Sequence, residues 1–214
     1  MKLLATSALA LSLATAAASA ATISTLGAED STIGSWGTGA TSAYGQSFTF
    51  AADVDFESVT FRINSGAAIN YDAYLYEMTG AAFTDVTTGG VIASVSGVAG
   101  GTGTMGSYTA DFGSVALGAG TYAVFFQATG GGASSNWGRT LSDDAYAGGT
   151  FLFQNNGGDA SQLNGGTLGF GNFGDLAFEI TYDSIVAPVP LPATALLLAL
   201  PLAGLGFAGR RRAA

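Results

Sequence analysis

Apolar residues recur at every second position in eight separate stretches of this chain, and no stretch between residues 21 and 187 shows a helical period. A period of two sets successive side chains on opposite faces of an extended strand. Phe48 and Phe50 alternate within Gln46 to Phe50, and Val59, Phe61 and Ile63 within Glu57 to Ile63. Tyr71, Ala73 and Leu75 point one way, and Tyr74, Tyr76 and Met78 the other. Val91, Ala93 and Val95 follow, then Tyr108, Ala110 and Phe112. Tyr122, Val124, Phe126 and Ala128 make the longest run, with Phe125 on its opposite face. Phe151 and Phe153 come next, and Leu176, Phe178, Ile180 and Tyr182 close the series.

Short strands that do not alternate with helices specify an antiparallel sandwich or barrel. Long glycine-rich gaps at Thr79 to Gly90, Gly97 to Gly106 and Gly130 to Gly149 suit Greek-key crossings between two sheets. The expected fold is all-β, a jelly-roll-like antiparallel β-sandwich, with an immunoglobulin-like sandwich as the alternative. No repeat of fixed length supports a β-solenoid. Glycine doublets such as Gly148-Gly149 and Gly157-Gly158 are read as turn positions that need positive φ.

Composition removes several chemistries. The chain has no Cys and no His. Disulfides, the usual zinc and copper sites, and Ser-His-Asp or Cys-His nucleophiles are therefore excluded. Carboxylate chemistry remains, such as a glycosidase pair facing across a cleft at roughly 5–10 Å. Between Ala21 and Pro192 only Arg62 and Arg139 are basic, against all fifteen acids, a net charge of −13. Such a surface repels nucleic acid and anionic lipid.

The two ends carry addresses. Lys2, the apolar run Leu3 to Ala18, and Ala18-Ser19-Ala20 before Ala21 form a secretory signal peptide with an A-x-A exit, residues 1–20. The expected mature chain starts at Ala21, after signal peptidase and the secretion machinery have acted. At the other end, Val189-Pro190-Leu191-Pro192-Ala193 precedes an apolar run to Ala208 and then Arg210, Arg211 and Arg212. A helix over 193–209, at about 1.5 Å per residue, just reaches across a hydrocarbon core of about 30 Å. The terminal arginines predict that this end stays cytoplasmic. Pro190 and Pro192 force extended backbone, which a peptidase cleft accepts as a strand. The plain alternative is a permanent membrane anchor with a Pro-rich stalk.

Motif, span and basic end in this order resemble the C-terminal sorting signal of exosortase-processed bacterial surface proteins, in the VPLPA variant of the PEP-CTERM class. The resemblance covers residues 188–214. It implies transient anchoring in the inner membrane, cutting at or near Val189 to Ala193 by a membrane-embedded cysteine peptidase, and delivery to the cell surface or extracellular matrix. The segment 21–187 is then the extracytoplasmic β-sandwich domain. Gly45-Gln46-Ser-Phe-Thr-Phe50, Val59-Thr-Phe61, Ala73-Tyr-Leu-Tyr-Glu77, Leu117 to Tyr122 and Gly174-Asp-Leu-Ala-Phe178 look more loosely like domains common among PEP-CTERM proteins. These motifs report fold and imply no set of catalytic residues.

Three places in the domain are candidate sites. Asp53, Asp55 and Glu57 alternate at the entrance to a strand, where three carboxylates on one face repel unless water or a cation intervenes. They are a calcium candidate, weighed against a solvated strand edge. Trp137, Arg139, Asp143, Asp144 and Tyr146 share the glycine-rich stretch before Gly149. An aromatic on a long loop can stack on a sugar ring while its polar neighbours bind hydroxyls; otherwise it covers one end of the core. Trp36 with Tyr44 is the third, in a polar stretch read as an edge strand or ordered arm. No other cofactor is expected. The leading functional expectation is a non-enzymatic surface or matrix protein associated with the envelope or exopolysaccharide. The alternative is a carbohydrate-binding module using loop aromatics.

Overall fold

A computed structural model describes residues 20–78, 90–131, 135–141, 144–163 and 174–185. Among them the chain forms β1 (Ala20–Ser24), β2 (Ser31–Trp36), β3 (Ala43–Phe50), β4 (Val54–Asn64), β5 (Ala68–Glu77) and β6 (Ala93–Gly100). It continues with β7 (Met105–Leu117), β8 (Gly120–Gly131), β9 (Ser135–Thr140), β10 (Phe151–Gln154), β11 (Asp175–Leu176) and β12 (Phe178–Ser184). The first sheet runs β1-β12-β4-β9-β11, with β2 added on β9 and β7 on β4. The second runs β10-β3-β8-β5-β6. Every pairing between these strands is antiparallel. The molecule is an all-β sandwich, and the chain changes sheet at most of its connections.

The alternation explains which face of each strand is buried. On β4, Val54 and Phe56 point inward, and so do Val59, Phe61 and Ile63. Those two sets have opposite parity, so an uninterrupted strand would expose one of them. A register shift against β7 between Phe56 and Ser58 resolves the conflict. Glu57 is the residue passed over, and a β-bulge there turns the strand by one residue. On β8, Tyr122, Val124, Phe126 and Ala128 join the main core. Ala123 and Phe125 join a second cluster with Tyr76, Met78 and Leu152, completed by Leu163 from the 3-10 turn Ala160–Leu163. Both faces of β8 are therefore buried, as expected of the central strand of a covered sheet.

Aromatic rings fill the space between the sheets. Phe61 stacks on Trp137 with ring centroids 4.5 Å apart and 12° between planes. It also meets Phe126 at 4.2 Å, Tyr71 at 5.5 Å and Tyr108 at 6.2 Å. These rings come from β4, β9 and β7 on one side and from β8 and β5 on the other. Each such pair adds about 0.5–1.5 kcal/mol beyond burial.

The strand pattern differs from the expected eight in identifiable ways. β1, β2 and β9 are additional, and the expected closing strand is split at Ala177, whose N–H donates to the Gly138 carbonyl at 2.7 Å. β6 runs on to Gly100, so only residues 101–104 connect it to β7. The stretch Ser31 to Tyr44 holds an edge strand, since β2 pairs with β9. Of the signal-cleavage residues, Ala18 lies outside the described residues while Ala20 and Ala21 open β1. The sorting motif, the basic end and the expected span 193–209 also lie outside them. Among the described residues no helix is long and apolar enough to cross a membrane.

Phe61→Ala removes the ring shared by both sheets and is expected to cost about 3–5 kcal/mol. Urea unfolding followed by tryptophan fluorescence checks this, and a loss below about 1 kcal/mol would contradict the central role of the ring.

Candidate functional site

The three entrance carboxylates do not come together. Asp53 lies in the turn before β4 and accepts the Ala119 N–H at 3.2 Å. Asp55 sits directly opposite Asp183 on β12, and Glu57 occupies the bulge. Among the described residues no group of three or more acidic side chains is placed to hold a metal ion. Asp55 and Glu57 both stand on the partly exposed side of β4, but Asp53 precedes the strand and is turned to the Ala119 N–H, so the three do not form the expected shared calcium-binding face.

The expected sugar platform is corrected as well. Trp137 stands on β9, not in a loop, and its side chain is 0% exposed. Trp36 packs edge-on against it at 5.1 Å, and Tyr44 does so at 5.8 Å. Trp36 and Tyr44 are themselves buried, and the Trp36 indole N–H donates to the Phe126 carbonyl of the opposite sheet at 3.0 Å. The indole nitrogen of Trp137 has no hydrogen-bond partner. It contributes as a large apolar ring.

Tyr146 is a lock. Its hydroxyl accepts the Thr49 N–H at 3.0 Å and donates to the Thr49 carbonyl at 3.2 Å. Its ring rests edge-on against Phe178 at 5.7 Å. The Thr49 hydroxyl donates to the Gly148 carbonyl at 2.8 Å, and Thr150 and Ser47 exchange backbone and hydroxyl bonds. The segment from Tyr146 to Thr150 is thereby zipped to β3. A Cβ on Gly149 would lie 1.8 Å from the Ser47 carbonyl oxygen, so only glycine permits that approach. Arg139 on β9 pairs with Leu176 and Ser31. Asp144 is exposed, and Asp143 lies outside the described residues.

The polar feature that the sequence reading missed joins the two sheets. Gln46 on β3 and Asp175 on β11 are both buried. The Gln46 amide donates to Asp175 Oδ1 at 2.8 Å, and its Oε1 accepts the Leu176 N–H at 2.9 Å. Asp175 Oδ2 accepts the Tyr146 N–H at 3.0 Å. Both carboxylate oxygens face donors, an arrangement that favours the charged form. Burial outweighs it, and nearby Asp144 adds repulsion, so the Asp175 carboxyl rises from 3.8 to about 6. The preceding Gly174 has φ +69, and a Cβ there would meet the Thr140 carbonyl oxygen at 1.5 Å. The available signal was the pair Gly45-Gln46 and Gly174-Asp175, each a glycine and a polar residue heading an apolar strand.

A second polar knot ties the end of β10 to β3 and β8. The Ser42 hydroxyl donates to Asn156 Oδ1 at 2.6 Å, and Asn156 donates to Gln127 Oε1 at 2.6 Å. Gln127 in turn donates to the Ser42 carbonyl at 3.1 Å. Every member is buried and paired, as a polar network in a core must be.

Two shallow depressions border these regions. One, of about 200 Å³, is lined by Ile33, Gly34, Thr41, Tyr44, Phe151 and Phe153, where β2 and β10 face each other. The other, of about 210 Å³, lies over Thr38, Gly39, Ser42 and Gly158. Neither lining contains a carboxylate or a basic side chain.

No protein-family model matches the chain, and no curated protein matches it. Among solved structures it is similar to a clostridial cysteine protease, Cwp84, after propeptide cleavage, with 13% identity and a TM-score of 0.47. That match covers 77% of this chain and 40% of the other. A structure of the cysteine protease and lectin-like domains of Cwp84, a surface layer associated protein of Clostridium difficile, matches at 12% identity and a TM-score of 0.38. It covers 67% of this chain and 32% of the other. The chain thus spans less than half the length of either.

Two outcomes follow from these positions. Trp137→Ala is expected to destabilise the fold by about 3–5 kcal/mol, whereas Trp137→Phe, which gives up an unpaired N–H, is expected to cost about 1–2 kcal/mol. Thermal unfolding of both variants checks the contrast. For Asp175, the folded pKa is raised, so its stabilising contribution is fully present below pH 3.8 and lost as pH rises through about 6. The stability of the natural chain relative to Asp175→Asn should therefore shrink between pH 4 and pH 7, by on the order of 1–3 kcal/mol. A pH series of urea midpoints for the two proteins checks the sign.

Proposed function

We propose that this chain is a secreted, surface-sorted β-sandwich protein without catalytic activity of its own. In this reading the signal peptide is removed before Ala21, and residues 193–209 hold the chain in the inner membrane for a time. An exosortase-type peptidase then cuts at or near Val189 to Ala193, and the domain passes to the cell surface or extracellular matrix, in association with envelope or exopolysaccharide. The observation that carries the reading is the order of motif, apolar span and Arg210 to Arg212 in the last twenty-six residues.

The domain supports it in two respects. β12 ends at Ser184, so only residues 185–188 separate the last strand from the motif. Ala21 pairs with Tyr182, so a chain cut before Ala21 would begin beside the strand that leads to the tail. The frequent change of sheet along the chain favours the jelly-roll-like arrangement over the immunoglobulin-like one. The carbohydrate-module alternative has no observation in its favour once Trp137 belongs to the core and Tyr146 to the loop lock.

Intact mass of the protein recovered from its host's envelope tests the proposal. The expected species starts at Ala21 and ends within Val189 to Ala193, bare or with an adduct at its new terminus. A species running from Ala21 to Ala214 would make the tail a permanent anchor and overturn the sorting reading.

A further inference from the structure

We propose that the free edge of β6 is a self-association surface, on which two copies pair their β6 strands antiparallel about a two-fold axis. The two second sheets then become one continuous sheet. Among the described residues β6 is the outermost strand of its sheet and pairs with β5 over Ala93 to Gly100 in unbroken register. Its other edge presents backbone donors and acceptors, the usual template for another strand.

Edge strands are normally protected by charge, proline, a bulge or shortness. The remaining edges of this sandwich have such protection. β10 has four residues and β1 five. β2 has a register break between Ile33 and Trp36. β7 carries the break opposite Glu57, a positive-φ Gly113 and an exposed Asp111. β6 lacks charge and proline, since no residue between Asp85 and Asp111 is either, and its one positive-φ glycine, Gly100, stands at its very end. It also gathers exposed apolar surface, since Val98 is 58% exposed and Val91 and Ile92 just before the strand are 46% and 42% exposed.

A second copy is the occupant that the charge pattern selects. Two mature domains each carry a net −13, so close contact is least costly where the touching strands themselves carry no acid. β6 itself carries no charge, the nearest carboxylate is Asp72 on β5, which the Ser96 hydroxyl already engages, and antiparallel pairing about a two-fold axis is self-complementary. Eight residues of edge bury less than the roughly 1,200 Å² of a stable interface, so the contact is weak in dilution and strengthened by crowding on a surface.

The absence of cysteine makes a direct test clean. Single-cysteine full-length chains carrying Ser94→Cys, Ser96→Cys or Val98→Cys are produced in the host, oxidised mildly and run without reductant. Thr22→Cys on β1 and Thr109→Cys on β7 serve as controls. A disulfide needs Cα atoms within about 7 Å, so the β6 position nearest the two-fold axis should give dimer about tenfold above both controls. Adding Val98→Lys to Ser96→Cys should cut that yield about fivefold while the circular dichroism spectrum stays unchanged. Equal crosslinking at β6 and the controls, no crosslinking at β6, or crosslinks from β6 only to Thr22→Cys in a mixed sample would each overturn the proposal.

Discussion

The ring of Phe61 holds the two sheets at their spacing. With no cysteine in the chain, closure depends on what meets in the middle. There a phenyl ring from β4 lies flat on the indole of Trp137 and touches Phe126 and Tyr71 from the opposite sheet. The packing fixes more than distance. Trp36 reaches the Trp137 ring edge-on and sends its N–H to the Phe126 carbonyl, so β2, a strand at the margin, is tied to the centre of the other sheet. The conversion of two tryptophans into core material leaves the described surface without an indole.

Polar groups close what the rings leave open. Gln46 and Asp175 bind each other where β3 passes β11, and they also accept the backbone N–H groups of Leu176 and Tyr146 respectively. Ser42, Gln127 and Asn156 do the same at the end of β10. A buried amide satisfies donor and acceptor demands at once, which suits the crossing of two ladders that cannot bond directly. Asp175 is the costly member, because its charge is held away from water in a chain already rich in acids. Its partners are an amide and a backbone N–H rather than a guanidinium, so the carboxylate is hydrogen-bonded without being neutralised.

How much of this the sequence displayed depended on side-chain size. Strands with large alternating residues, such as Val59 to Ile63 and Tyr122 to Ala128, were legible because only the pleat produces that pattern. β6 was half legible: beyond Val95 it continues in Ser, Gly and Ala, which look like a connection but pair as a strand. β9 was hidden by its glycine-rich flanks, so its tryptophan read as a loop aromatic. The bulge in β4 was legible in principle, since Val54 and Phe56 are out of step with Val59, Phe61 and Ile63. Taking Asp53 together with Asp55 and Glu57 as one face missed that Asp53 precedes the strand and caps the turn at Ala119. For the Gln46–Asp175 interlock the sequence offered two similar Gly-polar pairs, but 129 residues separate them and nothing local says that they meet.

Apart from buried Asp175, the acids of the described residues are at least partly exposed, and this shapes how such domains behave when crowded. Beyond a Debye length of about 8–10 Å, repulsion between copies is screened. What decides an encounter is the composition of the patches that touch. Where those patches carry carboxylates, contact costs desolvation with little basic to offset it, since the domain holds only Arg62 and Arg139. The β6 edge differs, and it belongs to the second sheet, whereas the strand leading to the tail, β12, belongs to the first. A chain held through β12 therefore spends a different sheet on its tether from the one whose edge is open. The proposed tether and the proposed lateral contact thus fall on separate sheets of one sandwich, so the two proposals do not compete for the same strand.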